Sequence, residues 1–296
     1  MFEGFTTTCV DTGEARIFVR IRGRGEPVVL LHGHPRTSAT WHRVAPLLVA
    51  RGFTVICPDL RGYGRSTGPH PTADHSAHSK RAVANDVLTV ARAFGHTRFH
   101  LAGHDRGSYV ALRLALDHPE AVDRLALMDC LPISEHLRRA DAVFATRWWH
   151  WFFFAQPGIP ERVIGADPAA WYAPKADPRT MGEENHAELM AAVRKPDVVR
   201  AMLEDYRAGL SVDRADEEAD RAQGRKVEPS TLVLWSTLDD LEELYGDPVA
   251  IWRDWAVDVR GHGIVSAHHM AEEAAPEVAS ALADFFSGAT ALSVRR

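Results

Sequence analysis

The residues with the clearest chemical meaning lie at 102–107, which reads Ala-Gly-His-Asp-Arg-Gly. A short apolar run precedes them and a segment with helical apolar spacing follows, so the pattern predicts a strand, a sharp turn and a helix. Glycines on both sides let such a turn tighten and expose its central side chain, Asp105. A carboxylate there suits attack on an electrophilic carbon, because water can later open the ester that forms. This disfavours a serine esterase; the plainer alternative is a turn that carries an Asp cap.

Further carboxylates and histidines follow later predicted strands, in the chain order of an acid and then a base. The acid candidates are Asp129 and Asp239 or Asp240, and the base candidates are His268 and His269. A histidine held by a carboxylate can take a proton from water, and that water can then attack an aspartyl ester. The residues alone leave both sets of alternatives open.

The elements that must position these residues alternate between strands and helices. Continuous apolar runs such as 27–31 and 53–57 are typical of parallel strands buried on both faces. Alternating apolar residues at 17, 19 and 21 predict an antiparallel edge strand. The pattern therefore predicts an α/β fold with a mostly parallel central sheet.

The strand rhythm stops between residues 133 and 227, where helical, aromatic and charged segments take over. We interpret this region as an inserted helical cap, which divides the chain into an N-terminal core part (1–132), the cap (133–227) and a C-terminal core part (228–296). Within the cap, the charge-rich stretch 213–220 reads as a solvated surface.

Composition narrows the class of protein. The 296 residues are 46% hydrophobic and 25% charged, which is typical of a globular enzyme. A formal net charge of −6 argues against nucleic-acid binding, and no leader or membrane-spanning pattern is evident, so we expect a cytoplasmic protein. Three widely spaced cysteines without a Cys-x-x-Cys pair predict neither disulfide nor zinc site, and nothing indicates a metal or organic cofactor.

Several short motifs extend along nearly the whole chain. The generic ones are His-Gly-His-Pro at 32–35, Asp-Leu-Arg-Gly-Tyr-Gly at 59–64 and Gly-His-Asp-Arg-Gly at 103–107. More specific are His150-Trp151 and Tyr206, the latter within Glu-Asp-Tyr-Arg-Ala-Gly. Together they make the chain resemble the haloacetate (fluoroacetate) dehalogenases of the α/β-hydrolase superfamily. The resemblance implies the α/β-hydrolase fold, a small-molecule substrate and a homodimer.

The resemblance also implies a hydrolase that acts on carbon–halide bonds in two steps. Asp105 would displace halide from the α-carbon of a 2-haloacid, and His268, oriented by Asp129, would drive hydrolysis of the ester with inversion at that carbon. This selects Asp129 and His268 among the alternatives above. The implied binding groups are the backbone amides of His34 and Arg106 for the oxyanion, and His150, Trp151 and Tyr206 for the halide.

One position departs from the family pattern. The family holds the substrate carboxylate with two arginines, and here Arg106 is followed, three residues later, by Tyr109. A hydroxyl donates one hydrogen bond, so loss of the cation should weaken binding of a small haloacid by up to a few kcal/mol in a dry site. The departure argues against fluoroacetate as the natural substrate, and for a bulkier, less charged or aryl-substituted acid or another halide.

Two other functions compete with this one. An epoxide hydrolase would use the same nucleophile, with cap hydroxyls as proton donors: Tyr206 paired with Tyr172 or Tyr109. A hydrolase-like protein that binds a small ligand without turnover is the third, and the apparently intact triad weighs against it.

Overall fold

The structure is a computed structural model that describes residues 1–288. Within these residues eight strands form one sheet in the order β1-β2-β4-β3-β5-β6-β7-β8. β1 pairs with β2 and β2 with β4 in antiparallel fashion, whereas β3 to β8 run parallel. The strands are β1 Thr6–Asp11, β2 Arg16–Arg22, β3 Pro27–Leu31, β4 Thr54–Pro58, β5 Phe99–His104, β6 Val122–Met128, β7 Ser230–Ser236 and β8 Val259–Ile264.

The sixteen α-helices of residues 1–288 surround this sheet. They are α1 Val44–Ala50, α2 Lys80–Ala93, α3 Arg106–Asp117, α4 Ile133–Arg138, α5 Ala142–Arg147, α6 Trp149–Phe154, α7 Ile159–Ala166, α8 Pro168–Tyr172, α9 Pro178–Met181, α10 Glu183–Val193, α11 Pro196–Ala208, α12 Arg214–Ala222, α13 Leu241–Tyr245, α14 Pro248–Trp252, α15 Met270–Glu273 and α16 Ala275–Phe286. A π-helical turn, Gly209–Asp213, joins α11 to α12, and short 3₁₀ turns occur elsewhere. None of these helices has the length and hydropathy that a membrane crossing requires.

The central strands are buried on both faces, which explains their continuous apolar runs. In β3, Val28 and Leu30 pack into one core cluster with α1 and α16, and Val29 and Leu31 pack into the other with α2 and α3. Successive side chains of a strand point to opposite faces, so every position of such a strand must be apolar. The predicted α/β fold with a mostly parallel sheet is confirmed.

The predicted edge strand is wrong in one respect. β2 lies inside the sheet, and β1 forms the edge by pairing Thr6–Asp11 with it. Most side chains of β1 are exposed, so its Thr-Thr-Thr-Cys-Val-Asp sequence shows no apolar alternation. Its β-branched residues suit a strand nonetheless.

The chain between β6 and β7 folds as helices α4 to α12, without a strand in this described stretch. Its aromatic residues, including Trp151 and Tyr206, join the core cluster that contains Tyr109 of α3. These helices therefore pack on α3, and α9 and α10 also contact α15 and the 3₁₀ turn Ser38–His42, respectively. Exact boundaries at residues 132 and 227 remain our proposal.

The charge-rich stretch 213–220 was predicted to be a solvated surface, and this is wrong for one face of it, although residues 214, 215, 218 and 219 are exposed. Asp213, Glu217 and Asp220 are each less than a tenth exposed. Their spacing puts them on one helix face, which turns toward the core. Asp213 accepts the backbone N–H of Lys80 at 2.7 Å, and Asp220 pairs with Arg113. Buried partners from the core helices α2 and α3 therefore balance Asp213 and Asp220.

Candidate active site

Asp105 occupies a strained turn between β5 and α3. Its φ of 50° and ψ of −120° are unusual for a residue with a side chain, a strain worth roughly 1–3 kcal/mol. The turn tolerates only glycine on both sides: a Cβ on Gly103 would lie 2.4 Å from the Gly107 carbonyl oxygen, and one on Gly107 would lie 2.5 Å from that of Leu31. Two glycines and a strained backbone at Asp105 are therefore needed to expose this one carboxylate.

Backbone donors hold this carboxylate. The His34 N–H donates to Oδ1 of Asp105 at 2.6 Å, and the Arg106 N–H also bonds to the carboxylate. Burial alone would raise the pKa of Asp105, but His268, His104 and Arg106 outweigh it and lower the pKa. Asp105 is therefore ionised at neutral pH, as a nucleophile must be.

His268 lies between this carboxylate and a second one. Its Nδ1 is 2.6 Å from Oδ2 of Asp129, and its Nε2 is 3.8 Å from Oδ2 of Asp105. Asp129 follows β6 and is fixed by the N–H and hydroxyl of Ser236, at 3.0 and 2.7 Å. The structure thus brings the predicted nucleophile, acid and base together, and their roles stay predictions.

The alternative candidates occupy different places. Asp239 lies 3.3 Å from Nδ1 of His268, whereas Asp240 accepts the indole N–H of Trp148 at 3.0 Å. His269 packs beside His268 with its Nδ1 buried and unpartnered among the described residues. Of the two histidines, His268 is the one that contacts the carboxylates.

Burial would lower the pKa of His268, but Asp129, Asp239 and Asp105 reverse the sign and raise it well above its usual 6.5. His268 is therefore an imidazolium while Asp105 is a free anion. Esterification of Asp105 would remove one of the three negative charges, so the pKa of His268 would fall when a base is needed.

The predicted halide donors converge from two cap helices. His150 and Trp151 belong to α6 and Tyr206 to α11. The Tyr206 ring lies 6.0 Å from that of His150, 6.2 Å from that of Trp151 and 5.2 Å from that of His34, whose amide binds Asp105. Burial, with a contribution from Lys175, lowers the pKa of His150 to about 3, so its ring is neutral and offers one N–H.

Arg106, the predicted carboxylate ligand, is fully buried and already paired. Its Nε donates to the Asp205 carboxylate at 2.6 Å and one terminal nitrogen donates to the Asp205 carbonyl at 2.7 Å. The other terminal nitrogen, Nη1, has no partner among residues 1–288. The guanidinium lies 4.2 Å from the Tyr206 ring centroid and 5.1 Å from that of Tyr109.

Known proteins resemble this chain over nearly its full length. A family model described as alpha/beta hydrolase fold matches residues 26–271. The chain belongs to the α/β-hydrolase family. A fluoroacetate dehalogenase of Burkholderia sp is 37% identical over 98% of this chain and 96% of its own length. The hydrolase is therefore a haloacetate dehalogenase-like member, and the prediction that it is a hydrolytic enzyme is confirmed.

Two further relatives show the breadth of the family around this hydrolase. A soluble epoxide hydrolase of Corynebacterium sp. (strain C12) is 30% identical over 86% of this chain and 87% of its own length. A solved alpha/beta hydrolase from Nostoc sp PCC 7120 superposes with a TM-score of 0.94 at 40% identity, covering 97% of this chain and 99% of that one.

Sequence reasoning missed the buried ionic group behind the hydrolase's candidate site. Asp205 also binds the Lys80 ammonium and accepts the Tyr63 hydroxyl at 3.1 Å. With Arg106 nearby, these cations lower the pKa of Asp205 far below its usual range despite burial, which acts in the opposite direction. The adjacency of Asp205 to Tyr206 was a usable signal; Lys80 gave none.

Three residues of the hydrolase bring possible metal-ligand atoms within 4.8 Å of one another: His104, Asp129 and His268. Hydrogen bonds within the site explain this cluster. Nε2 of His104 donates to the His268 carbonyl oxygen at 2.7 Å, and Nδ1 of His268 faces Asp129. His104 therefore carries its proton on Nε2, and Nδ1 of His268 is engaged by Asp129.

Proposed function

We propose that the protein is a hydrolytic dehalogenase that displaces halide from a 2-haloacid through an aspartyl ester on Asp105. The observation that carries the proposal is the unpartnered Nη1 of Arg106, a charged donor that is fully buried behind the nucleophile. A buried charged donor without an acceptor costs more than about 1–3 kcal/mol, so a substrate oxygen that accepts from Nη1 would be stabilised there. The cap donors His150, Trp151 and Tyr206 supply a second group of N–H and O–H bonds, for the departing halide.

In the first step an oxygen of Asp105 attacks the α-carbon and the halide leaves with the bonding electrons. Oδ1 is held by the His34 N–H, so Oδ2 is the attacking atom. Fluoride is strongly hydrated, and a dry site must replace its water with donors, each charge-assisted bond contributing roughly 1.5–3 kcal/mol. The three cap donors fill this role.

In the second step His268 takes a proton from water, and the hydroxide attacks the carbonyl carbon of the ester. The amides of His34 and Arg106 hold the oxyanion, an effect worth about 3 kcal/mol per donor. Collapse breaks the ester C–O bond, the leaving oxygen takes the proton from His268, and a 2-hydroxyacid with inverted configuration departs while Asp105 keeps one oxygen from water. Asp129 keeps the His268 ring oriented throughout.

Substrate choice follows from the charges around Arg106. Asp205 already balances this cation, and Tyr109 offers a hydroxyl where the resembling family has a second arginine. The substrate is therefore a bulkier, less charged or aryl-substituted 2-haloacid, or one with a halide other than fluoride, rather than fluoroacetate itself.

Halide release from a panel of 2-haloacids, fluoroacetate and chloroacetate included, tests the proposal. We expect release that disappears in Asp105→Asn, and an ester on Asp105 that accumulates in His268→Ala and is detectable by mass spectrometry. Turnover in H₂¹⁸O should place the label in Asp105. Release from no haloacid would refute the proposal, and absence of any trapped ester would favour ligand binding without turnover.

An epoxide hydrolase is the second candidate. It is supported by the 30% identical soluble epoxide hydrolase and by Tyr172, which lies with Tyr206 around the His34 ring. The two hydroxyls would protonate the opening oxygen while Asp105 attacks carbon. Diol formation from an epoxide panel, lost in Tyr206→Phe, would establish this activity; no diol from any epoxide removes it.

We also propose a cytoplasmic homodimer. Only the family resemblance supports the dimer, and light scattering on the purified protein decides the oligomeric state. Fractionation of the source cells decides the location.

A further inference from the structure

Two loops, not one, bring a carboxylate to the base. Nδ1 of His268 lies 2.6 Å from Oδ2 of Asp129, which follows β6, and 3.3 Å from Oδ2 of Asp239, which follows β7. Nδ1–H is a single donor; it donates to Asp129, and Asp239 lies at ion-pair distance from the same atom. Both acid positions that the sequence left open are therefore in contact with the same ring.

The two carboxylates differ in their surroundings. Asp129 is buried and receives two hydrogen bonds from Ser236. The Asp239 side chain is 35% exposed. Burial would raise the pKa of Asp239, but the hydrogen bond and charge of His268 outweigh it and lower the pKa. Asp239 is thus an anion that owes its stabilisation mainly to the histidine.

The loop that carries Asp239 is tied to the cap. Its neighbour Asp240 accepts the Trp148 indole N–H at 3.0 Å, and Glu243 pairs with Arg147 at 2.6 Å. These two contacts hold the loop beside His268. The packing of the cap on the core therefore determines the position of Asp239.

Other charged groups also face His268. Asp105, in the turn between β5 and α3, raises the pKa of His268, and the ring of His104 lies 4.9 Å from that of His268. The neighbouring His269 is neutral, because burial and nearby cations, Arg36 first, lower its pKa. The charge of Lys175, a cap residue, helps to lower the pKa of both Asp239 and His269. Among these groups, Asp129 and Asp239 are the ones at Nδ1.

We propose that Asp239 is a second positioning acid for His268, which shares with Asp129 the orientation of the ring and the balancing of its positive charge. The kinetic consequence rests on the proposed function: either carboxylate alone sustains ester hydrolysis, and only loss of both removes it.

The direct test is titration of His268 by NMR in Asp239→Asn, with Glu242→Gln as the matched control, because Glu242 is an exposed carboxylate of the same segment. His268→Gln identifies the signal. We expect the pKa of His268 to fall by about one unit in Asp239→Asn, as loss of a nearby carboxylate implies, and to stay at the wild-type value in the control. An unchanged pKa in Asp239→Asn overturns the proposal. This measurement needs no substrate, so it decides the matter even if the proposed dehalogenation fails.

The kinetic test measures single-turnover ester hydrolysis in Asp129→Asn, Asp239→Asn and the double variant. Loss of the only acid of a triad costs ~10⁴-fold in rate. We expect Asp129→Asn to lose at least tenfold less than the double variant, and the acid limb of the pH profile to move to lower pH in Asp239→Asn. An Asp129→Asn enzyme that folds, shown by its melting curve, and is as slow as the double variant contradicts the proposal.

Discussion

Arg106 limits how the candidate site can bind a substrate carboxylate, because most of its hydrogen-bond donors are already used. Two of its three nitrogens are bonded to Asp205, so an incoming carboxylate meets only Nη1. The Tyr109 ring lies 5.1 Å from the guanidinium, in the position where a second cation would stand. Under the proposed function, the cation that faces the substrate is therefore already paired with Asp205.

Tyr109→Arg should restore that cation. We expect the KM for chloroacetate or fluoroacetate to fall about tenfold, since one charge-assisted bond contributes ~1.5–3 kcal/mol and burial of the new charge offsets part of it. The melting temperature without substrate should fall, because the added guanidinium is unpaired. Steady-state kinetics and thermal melting measure both, with Tyr109→Phe as the control that alters the hydroxyl alone. An unchanged KM in Tyr109→Arg would show that this position does not contact the acid group.

At this scale the sequence predicts what lies at strand ends. Asp105, Asp129 and His268 were identifiable because each follows a predicted strand, and the carboxyl ends of parallel strands share one edge. The pairing of Arg106 with Asp205 was not, because the two residues are 99 positions apart and no local pattern connects them. Such partners are determined by tertiary packing.

Among the elements, the turn between α11 and α12 packs directly against Arg106. A Cβ on Gly209 would lie 2.8 Å from Nη2 of Arg106, so this π-helical turn needs glycine for space rather than for its dihedral angles. A methyl group here pushes on the guanidinium.

Gly209→Ala should raise the KM for a haloacid severalfold while kcat changes less, because the displaced Arg106 still lies outside the reacting bond. Gly165→Ala is the matched control, since its Cβ would meet nothing within 4 Å. That change should stabilise the protein by up to about 1 kcal/mol. Kinetics and thermal melting of both variants check this; equal KM values in the two variants would contradict it.

Helix α12 carries a carboxyl group that opposes folding at neutral pH. Glu217 accepts the N–H groups of Ile133 at 3.2 Å and Ser134 at 2.7 Å, at the start of α4. Burial outweighs these bonds and raises the pKa of Glu217 to about 7. The folded protein therefore holds a proton that the unfolded chain loses near pH 4.5.

The free energy of unfolding should accordingly fall as pH rises from about 4.5 to about 7, by up to ~3 kcal/mol from this group. Glu217→Gln should remove that part of the pH dependence. Glu218→Gln, at an exposed neighbour, should keep it. Urea denaturation at several pH values measures the curves. Parallel curves for wild type and Glu217→Gln would show that the group is not shifted.

Element prediction succeeded where burial is two-sided and failed where it is not. β3, β4 and β6 are recognisable from sequence because their apolar runs have no polar face. The exposed edge strand β1 left no such pattern, and α12 looked solvated because its buried side chains are charged. A charged residue reveals nothing about burial when its counter-ion comes from another element.

Over the whole molecule, core and cap share a buried ionic group. Lys80, at the start of α2, binds Asp205 of α11 and Asp213 of the π-helical turn. Arg106, at the start of α3, also binds Asp205. Removal of one member leaves uncompensated buried charge.

Lys80→Met should lower the free energy of unfolding by ~3 kcal/mol or more, since a buried ion pair that loses one partner costs about 3–5 kcal/mol. Lys226→Met, at an exposed lysine, should change it little. Chemical denaturation compares the two. A Lys80→Met protein as stable as the control would show that the buried ionic group does not stabilise the packing of the cap on the core.

The ties between the cap and the loop after β7 also bear on how such enzymes can be recombined. Trp148, Arg147 and His136 reach across to Asp240, Glu243 and Tyr245. If the cap of a homologue replaced residues 133–227 of this chain, Asp240, Glu243 and Tyr245 would remain without their cap partners. A functional chimaera should therefore exchange the segment 237–245 together with the cap, because the two contact each other directly.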